Sequence, residues 1–323
     1  MRERAFPLPR PLVLVASVVA LAAATLGATA TPAGANRIER HVTVDRLDRR
    51  YVAYLPDGYQ SRGPLPVVLA FHGGYMDPEG FEDLTRLQNA REARNFIIVF
   101  PEGYQRSWNA AGLCCGPAVR AGIDELKFVR ALLADLNTVA PVDRHRVYAT
   151  GYSNGANLSY HFACVAANEF AAIAPVSGAM RDPPGQCHPA RAVPVFDWHG
   201  LQDRASPFAG GVSGARNAPP DPAVMDTIAF WARVDGTGKT EKVALFGGVA
   251  DCDIHSEGRD GTRVQLCRLP GMGHRWPGAQ PTANSLRGDM FVRGFVGDLG
   301  PYSPAIDAND AMLEFFSQYV VPR

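Results

Sequence analysis

The chain has no net formal charge over 323 residues and very little lysine, which occurs only at Lys127, Lys239 and Lys242. With charge of neither sign in excess, nothing in the composition draws it to nucleic acid, a charged membrane surface or a strongly acidic partner. A hydrophobic run long enough to span a bilayer is also missing. The apolar stretch Leu12 to Leu26 falls short of the ~20 residues a span needs. It follows Arg2, Arg4 and Arg10 and leads into the small residues Ala28-Thr29-Ala30 and Ala33-Gly34-Ala35. That is the pattern of a secretory signal peptide cut after Ala30 or Ala35, with a retained transmembrane anchor as the alternative. No cysteine precedes Cys114, which excludes a lipid anchor on a processed N-terminal cysteine. No internal repeat or low-complexity linker divides the remainder, and 46% hydrophobic residues suffice for one large core. The expected organisation is a signal peptide over 1–35 and one catalytic domain over 36–323, exported to the periplasm or the medium, with no stable membrane anchor.

What is present begins with six cysteines. In an exported chain they read as disulfides, because the compartment is oxidising. Cys252 and Cys267 flank an Asp/Gly-rich stretch between two strand-like runs, so a hairpin would bring them together. Cys164 with Cys187 is the second expected pair, and the adjacent Cys114 and Cys115 are left open. No cysteine pair has zinc-finger spacing with matching histidines, so no metal is expected.

Residues 41–46 and 50–55 alternate apolar and polar side chains around Asp48-Arg49, which predicts an antiparallel opening pair. From Pro66 the pattern changes to short apolar runs at 67–71, 96–100, 147–150, 172–176 and 193–196. Such runs suit strands covered on both faces, hence a mostly parallel sheet. Between them Ile123, Leu126, Val129, Leu132, Leu133 and Leu136 share one helical face. Further helices are predicted at 156–165, 222–233 and 306–320. Alternating strand and helix gives an α/β fold. The Gly/Pro-rich stretch 204–221 is long for a connection and is expected to wall a substrate cleft.

Gly151-Tyr152-Ser153-Asn154-Gly155 sits where a strand ends and a helix begins, the context of a nucleophile elbow in the α/β-hydrolase fold. A serine hydroxyl is a weak nucleophile until a base removes its proton, and that base needs a carboxylate to orient it. The expected chain order is serine, then acid after a late strand, then histidine in a final loop. Asp203 and His274 satisfy it. His199 is the rival base, and Asp197, Asp226, Asp251 and Asp253 are rival acids. An oxyanion needs preorganised N–H donors. One is expected at Asn154 and the other at Gly74 or Tyr75, after the strand ending in Phe71-His72-Gly73-Gly74. Trp276 and Trp108 are candidate substrate-contacting walls, with core packing as the alternative, and His72 is a third candidate substrate-binding residue.

Taken together, these landmarks resemble the secreted esterase family that includes polyhydroxybutyrate depolymerases, feruloyl esterases and acetylxylan esterases, and are similar to carbohydrate esterase family 1. The residues carrying the resemblance are His72-Gly73-Gly74, Trp108-Asn109 with Cys114-Cys115-Gly116, Gly151 to Gly155, His199-Gly200 with Asp203, His274 with Trp276-Pro277-Gly278, and Ile306-Asp307-Ala308. The resemblance implies hydrolysis of an aryl or alkyl ester through an acyl-enzyme, with no metal or organic cofactor. After the predicted helix 306–320 only Val321-Pro322-Arg323 remain, so a separate polymer-binding module is not expected and soluble or oligomeric esters are favoured as substrates. An acyltransferase using the same triad and an inactive secreted binding protein are the alternative functions.

Overall fold

The computed structural model of the protein describes residues 35–112, 116–212, 219–279, 293–294, 297–302 and 306–322. Residues 1–34 of the expected signal peptide, and Cys114 and Cys115, lie outside them. The strands, in chain order, are β1 (Ala35–Val44), β2 (Leu47–Pro56), β3 (Leu65–Phe71), β4 (Ile97–Pro101), β5 (Val142–Tyr152), β6 (Ala172–Val176), β7 (Val195–Gly200), β8 (Lys239–Leu245), β9 (Ala250–Ser256) and β10 (Val264–Leu269). They form one sheet in the order β1-β2-β4-β3-β5-β6-β7-β10-β9-β8. The six central strands run parallel, and an antiparallel pair closes each edge. The helices are α1 (Pro78–Thr85), α2 (Pro117–Arg120), α3 (Glu125–Leu136), α4 (Asn154–Val165), α5 (Val224–Asp235) and α6 (Asn309–Phe316).

Every residue of β3, β4, β6 and β7 is buried, because helices cover both faces of the sheet. Alternation along β3 divides the core in two. Val67, Leu69 and Phe71 pack with Phe128, Leu132, Phe162 and Trp231 of α3, α4 and α5. Val68 and Ala70 face the other way, toward Phe81, Leu84, Met312 and Phe316 of α1 and α6. The outermost strand β8 is mostly exposed and carries Lys239, Glu241 and Lys242, which discourages further pairing at that edge.

The opening hairpin corrects the sequence expectation. Its turn is Asp45-Arg46, both left-handed at φ 51° and 67°, with Val44 opposite Leu47. Asp48 and Arg49 lie inside β2 instead. Arg49 reads as a turn residue, but its guanidinium is buried against Glu125 at 2.9 Å and lies over the Phe128 ring. β7 starts two residues later than its apolar run suggests, which brings His199 and Gly200 into the strand. α5 is shifted in the same direction, and α6 is shorter than the predicted 306–320.

The register aligns the strand ends. Phe71 pairs with Gly151, Tyr152 with Val176, Val176 with Trp198, and Gly200 with Leu269. The segments that leave these strands therefore emerge along one edge, the carboxyl edge where open α/β sheets place their ligands.

Candidate active site

Ser153 occupies the single residue between β5 and α4, with φ 55° and ψ −116°. Its amide donates to Val176 O at 3.0 Å, tying the turn to β6. The neighbouring glycines are required by contact rather than by φ. A Cβ on Gly155 would lie 2.0 Å from Phe71 O, and one on Gly151 would lie 2.5 Å from the Gly155 backbone. Strand end, helix start and the end of β3 thus meet without side chains between them, leaving Ser153 partly exposed among buried neighbours.

His274 and Asp203 reach the same edge from the loops after β10 and β7. His274 Nδ1 lies 2.7 Å from Asp203 Oδ2, and both side chains are almost fully buried. A carboxylate can only accept, so Nδ1 carries the proton and Nε2 is the acceptor. The other carboxylate oxygen, Asp203 Oδ1, accepts from Ala205 N at 2.9 Å and Ser206 N at 2.7 Å. His274 is fixed through its backbone, its N–H donating to Leu299 O at 2.6 Å. Tyr152, the residue before Ser153, donates its hydroxyl to His274 O at 2.7 Å, and its ring centroid is 4.9 Å from the imidazole. The imidazole therefore stands directly beside the elbow. Tyr152 was not singled out from sequence, because it fills the variable position of the Gly-x-Ser-x-Gly pattern.

Asn154 N is the first amide of α4 and so has no intrahelical acceptor. The positive end of the helix lies there. Gly74 sits opposite, since a Cβ on it would lie 3.8 Å from Asn154 Cβ. The two candidate oxyanion donors are thus neighbours. Tyr75, the other candidate, donates its N–H to Arg106 O at 2.6 Å, which leaves Gly74 as the better placed of the pair. The Asn154 side chain does separate work: Oδ1 accepts from Trp108 N at 2.8 Å and Nδ2 donates to Trp108 O at 3.2 Å. It locks the loop after β4 to the start of α4.

The three candidate substrate contacts are buried. Trp108 is fully buried, donating Nε1–H to His72 O at 2.8 Å and packing edge-on against Phe71. Trp276 is 1% exposed, with Nε1–H on Asn309 Oδ1 at 3.0 Å and its ring edge-on to Phe81. His72 is buried, its Nε2 accepting from Gly103 N at 2.9 Å, and burial pushes its pKa down to about 4. All three have their polar atoms bonded within the protein. The rival acids are elsewhere. Asp197 accepts from the buried Tyr160 hydroxyl at 2.6 Å, Asp253 pairs with Arg268 at 2.6 Å, and Asp226 is exposed on α5. Asp251 is exposed on β9.

Pro219, Pro220 and Asp221 of the Gly/Pro-rich stretch border a cavity of about 290 Å³, with Met180, Arg181 and Thr227 across it. Two disulfides lie where the sequence placed them, Cys164 with Cys187 and Cys252 with Cys267, the latter pair directly opposite on the β9–β10 ladder. Among the described residues no three His, Cys, Asp or Glu side chains come together as a metal site, and no helix is long and apolar enough to cross a membrane.

A model of the esterase PHB depolymerase family matches residues 49–226, from β2 into α5. Feruloyl esterase B of Piromyces equi is 26% identical over 235 residues, which are 70% of this chain and 42% of that protein, so the chain spans less than half of that relative. Putative esterase NocK of Nocardia uniformis subsp. tsuyamanensis is 27% identical over 293 residues, covering 85% of this chain and 84% of the other. The solved acetyl xylan esterase from Aspergillus awamori has the same fold, with a TM-score of 0.54 at 17% identity over 80% of this chain and 100% of that one. Its fold is that of an α/β-hydrolase.

Proposed function

The chain belongs to the esterase PHB depolymerase family; on that premise we propose that it is a carboxylic ester hydrolase that works through an acyl-enzyme on Ser153. The observation that carries this reading is the buried Asp203–His274 pair, 2.7 Å apart, held against an elbow whose Ser153 has φ 55°. Ser153 Oγ attacks the ester carbonyl carbon while His274 Nε2 takes the hydroxyl proton, and Asp203 stabilises the resulting imidazolium. The carbonyl oxygen, now negative, is held by Asn154 N–H and Gly74 N–H. Collapse breaks the bond to the alcohol oxygen, which receives the proton from His274. Water then repeats the sequence on the acyl-serine, releasing the acid and restoring Ser153.

Feruloyl, acetyl and hydroxyalkanoate esters are the proposed substrates, in keeping with the names its relatives carry. Export is proposed from the basic-apolar-small pattern of residues 1–35 and agrees with the two disulfides. The test compares mature wild-type protein with Ser153→Ala on p-nitrophenyl acyl esters, methyl ferulate and hydroxybutyrate oligomers. Wild type should hydrolyse at least one, and the variant should lose about 10⁴-fold or more in kcat. Equal activity in the two proteins would sink the mechanism.

A further inference from the structure

His199 is buried, titratable and unused by the mechanism above, yet its ring lies against the acid. It projects from the last full turn of the pleat in β7, with Nε2 at 2.8 Å from Ser206 O and 3.4 Å from Asp203 Oδ2. Both neighbours are acceptors, so Nε2 must carry the proton. Nδ1 makes no hydrogen bond among the described residues. Burial lowers the basicity of the ring, and the charged or titratable groups facing it are Asp203 and His274, together with the carbonyls of Ser206 and Gly178. Phe208 closes over it edge-on. His199 is therefore a neutral imidazole with a fixed tautomer, unsuited to serve as the base.

These contacts close a ring. His199 Nε2–H holds Ser206 O; Ser206 N–H holds Asp203 Oδ1; Asp203 Oδ2 receives His274 Nδ1–H and stands beside the same His199 proton. The turn 203–206 is thus gripped on both sides of Ser206, and the carboxylate it presents is kept from rotating about its own bond. We propose that His199 is a positioning residue, which orients Asp203 through Ser206 and supplies a second, weaker donor toward the oxygen that faces His274. This rests on the triad proposed above.

Removing the donor leaves more negative charge on Oδ2, which stabilises the protonated form of His274 and moves the acidic limb of the pH–activity profile upward. A misoriented carboxylate lowers kcat with little effect on KM, since no substrate contact is lost.

The experiment measures kcat, KM and the acidic limb with p-nitrophenyl acetate for wild type, His199→Leu and His199→Gln, together with the rate at which a fluorophosphonate labels Ser153. Gln carries an amide N–H to about the place of Nε2, whereas Leu does not. Leu should lower kcat and the labelling rate about 10- to 100-fold, with the acidic limb moved upward, and Gln should recover most of both. If the Leu protein does not fold, His199→Asn replaces it, because its shorter amide cannot reach Ser206 O. A donor-less variant with wild-type kcat and an unmoved limb overturns the inference, as does Gln behaving no better than that variant. Should wild type itself resist both substrate and label, the triad reading fails first, and independently.

Discussion

Ser153 is held at a backbone conformation that costs a non-glycine residue about 1–3 kcal/mol, and it persists because its neighbours allow nothing else. Gly155 is where that constraint can be tested. A methyl there would have to enter the space of Phe71 O at 2.0 Å, with Phe71 C at 2.6 Å and His72 O at 2.7 Å, all backbone atoms that cannot swing aside. Gly155→Ala should cost about 3 kcal/mol or more, read as a fall in the urea midpoint with m unchanged, and should lower kcat because the loop after β3 and the first residue of α4 carry the two proposed oxyanion donors. A variant as stable and as active as wild type would show that this approach is looser than described. At this scale the proposed nucleophile, acid and base could be read from order and flanking pattern. The burial of Trp108, Trp276 and His72 could not. An aromatic or histidine beside a catalytic loop has the same letter whether it lines a cleft or fills a core, and all three here are buried with their polar atoms bonded inward.

Among the elements, β10 matters most to the site, because five residues beyond its end stands His274. It is held on one side by parallel pairing to β7 and on the other by antiparallel pairing to β9, where Cys252 and Cys267 face each other. The bridge closes a loop of sequence separation 15, for which the chain-entropy model gives about 3 kcal/mol. Replacing both cysteines by alanine should therefore lower the unfolding free energy in urea by about 2–3 kcal/mol while leaving kcat within a factor of about two, since the β7 ladder still fixes the register. A large loss of activity at full stability would mean that the bridge, not the ladder, sets the histidine loop. Apolar runs located the central strands well, because strands buried on both faces leave a continuous hydrophobic signature. The edge hairpin was misplaced by three residues. Its buried Arg49 is satisfied by Glu125, 76 residues away, and no local pattern reports a partner at that distance.

Over the whole molecule, buried titratable groups give stability a dependence on pH, and Asp197, Asp235 and His72 show its sign. Burial pushes Asp197 up to about 8 and Asp235 up to about 7, so the folded state keeps protons that unfolded aspartates release near pH ~4. Their contribution is complete below that value and is lost as pH rises through 7 and 8. His72, pushed down to about 4, acts in the opposite sense: its contribution is present above ~6.5, where the unfolded ring is neutral, and is lost as pH falls toward 4. Above about 6.5 the two acids still act while the His72 contribution no longer changes, so the melting temperature should drop between pH 6.5 and 8.5. Asp197→Asn, which keeps an acceptor for the Tyr160 hydroxyl, should flatten that drop. A melting temperature flat over this range in wild type, or a slope unchanged by Asp197→Asn, would contradict the assignment.

The sequence by itself determined the fold class, the parallel centre of the sheet, two disulfide pairings and the identities of the proposed nucleophile, base and acid. Each is encoded locally, in side-chain periodicity, in a glycine pair around a serine, or in the order of residues after strand ends. Tertiary structure decided which strand ends align, that the Tyr75 amide is taken up by Arg106 O, and that the His199 ring lies against Ser206 O in the turn that carries Asp203. Those outcomes depend on hydrogen bonds and contacts between segments far apart in the chain, such as Tyr152 to His274 across 122 residues. Register and burial create such contacts, and neither is written in any one stretch of residues.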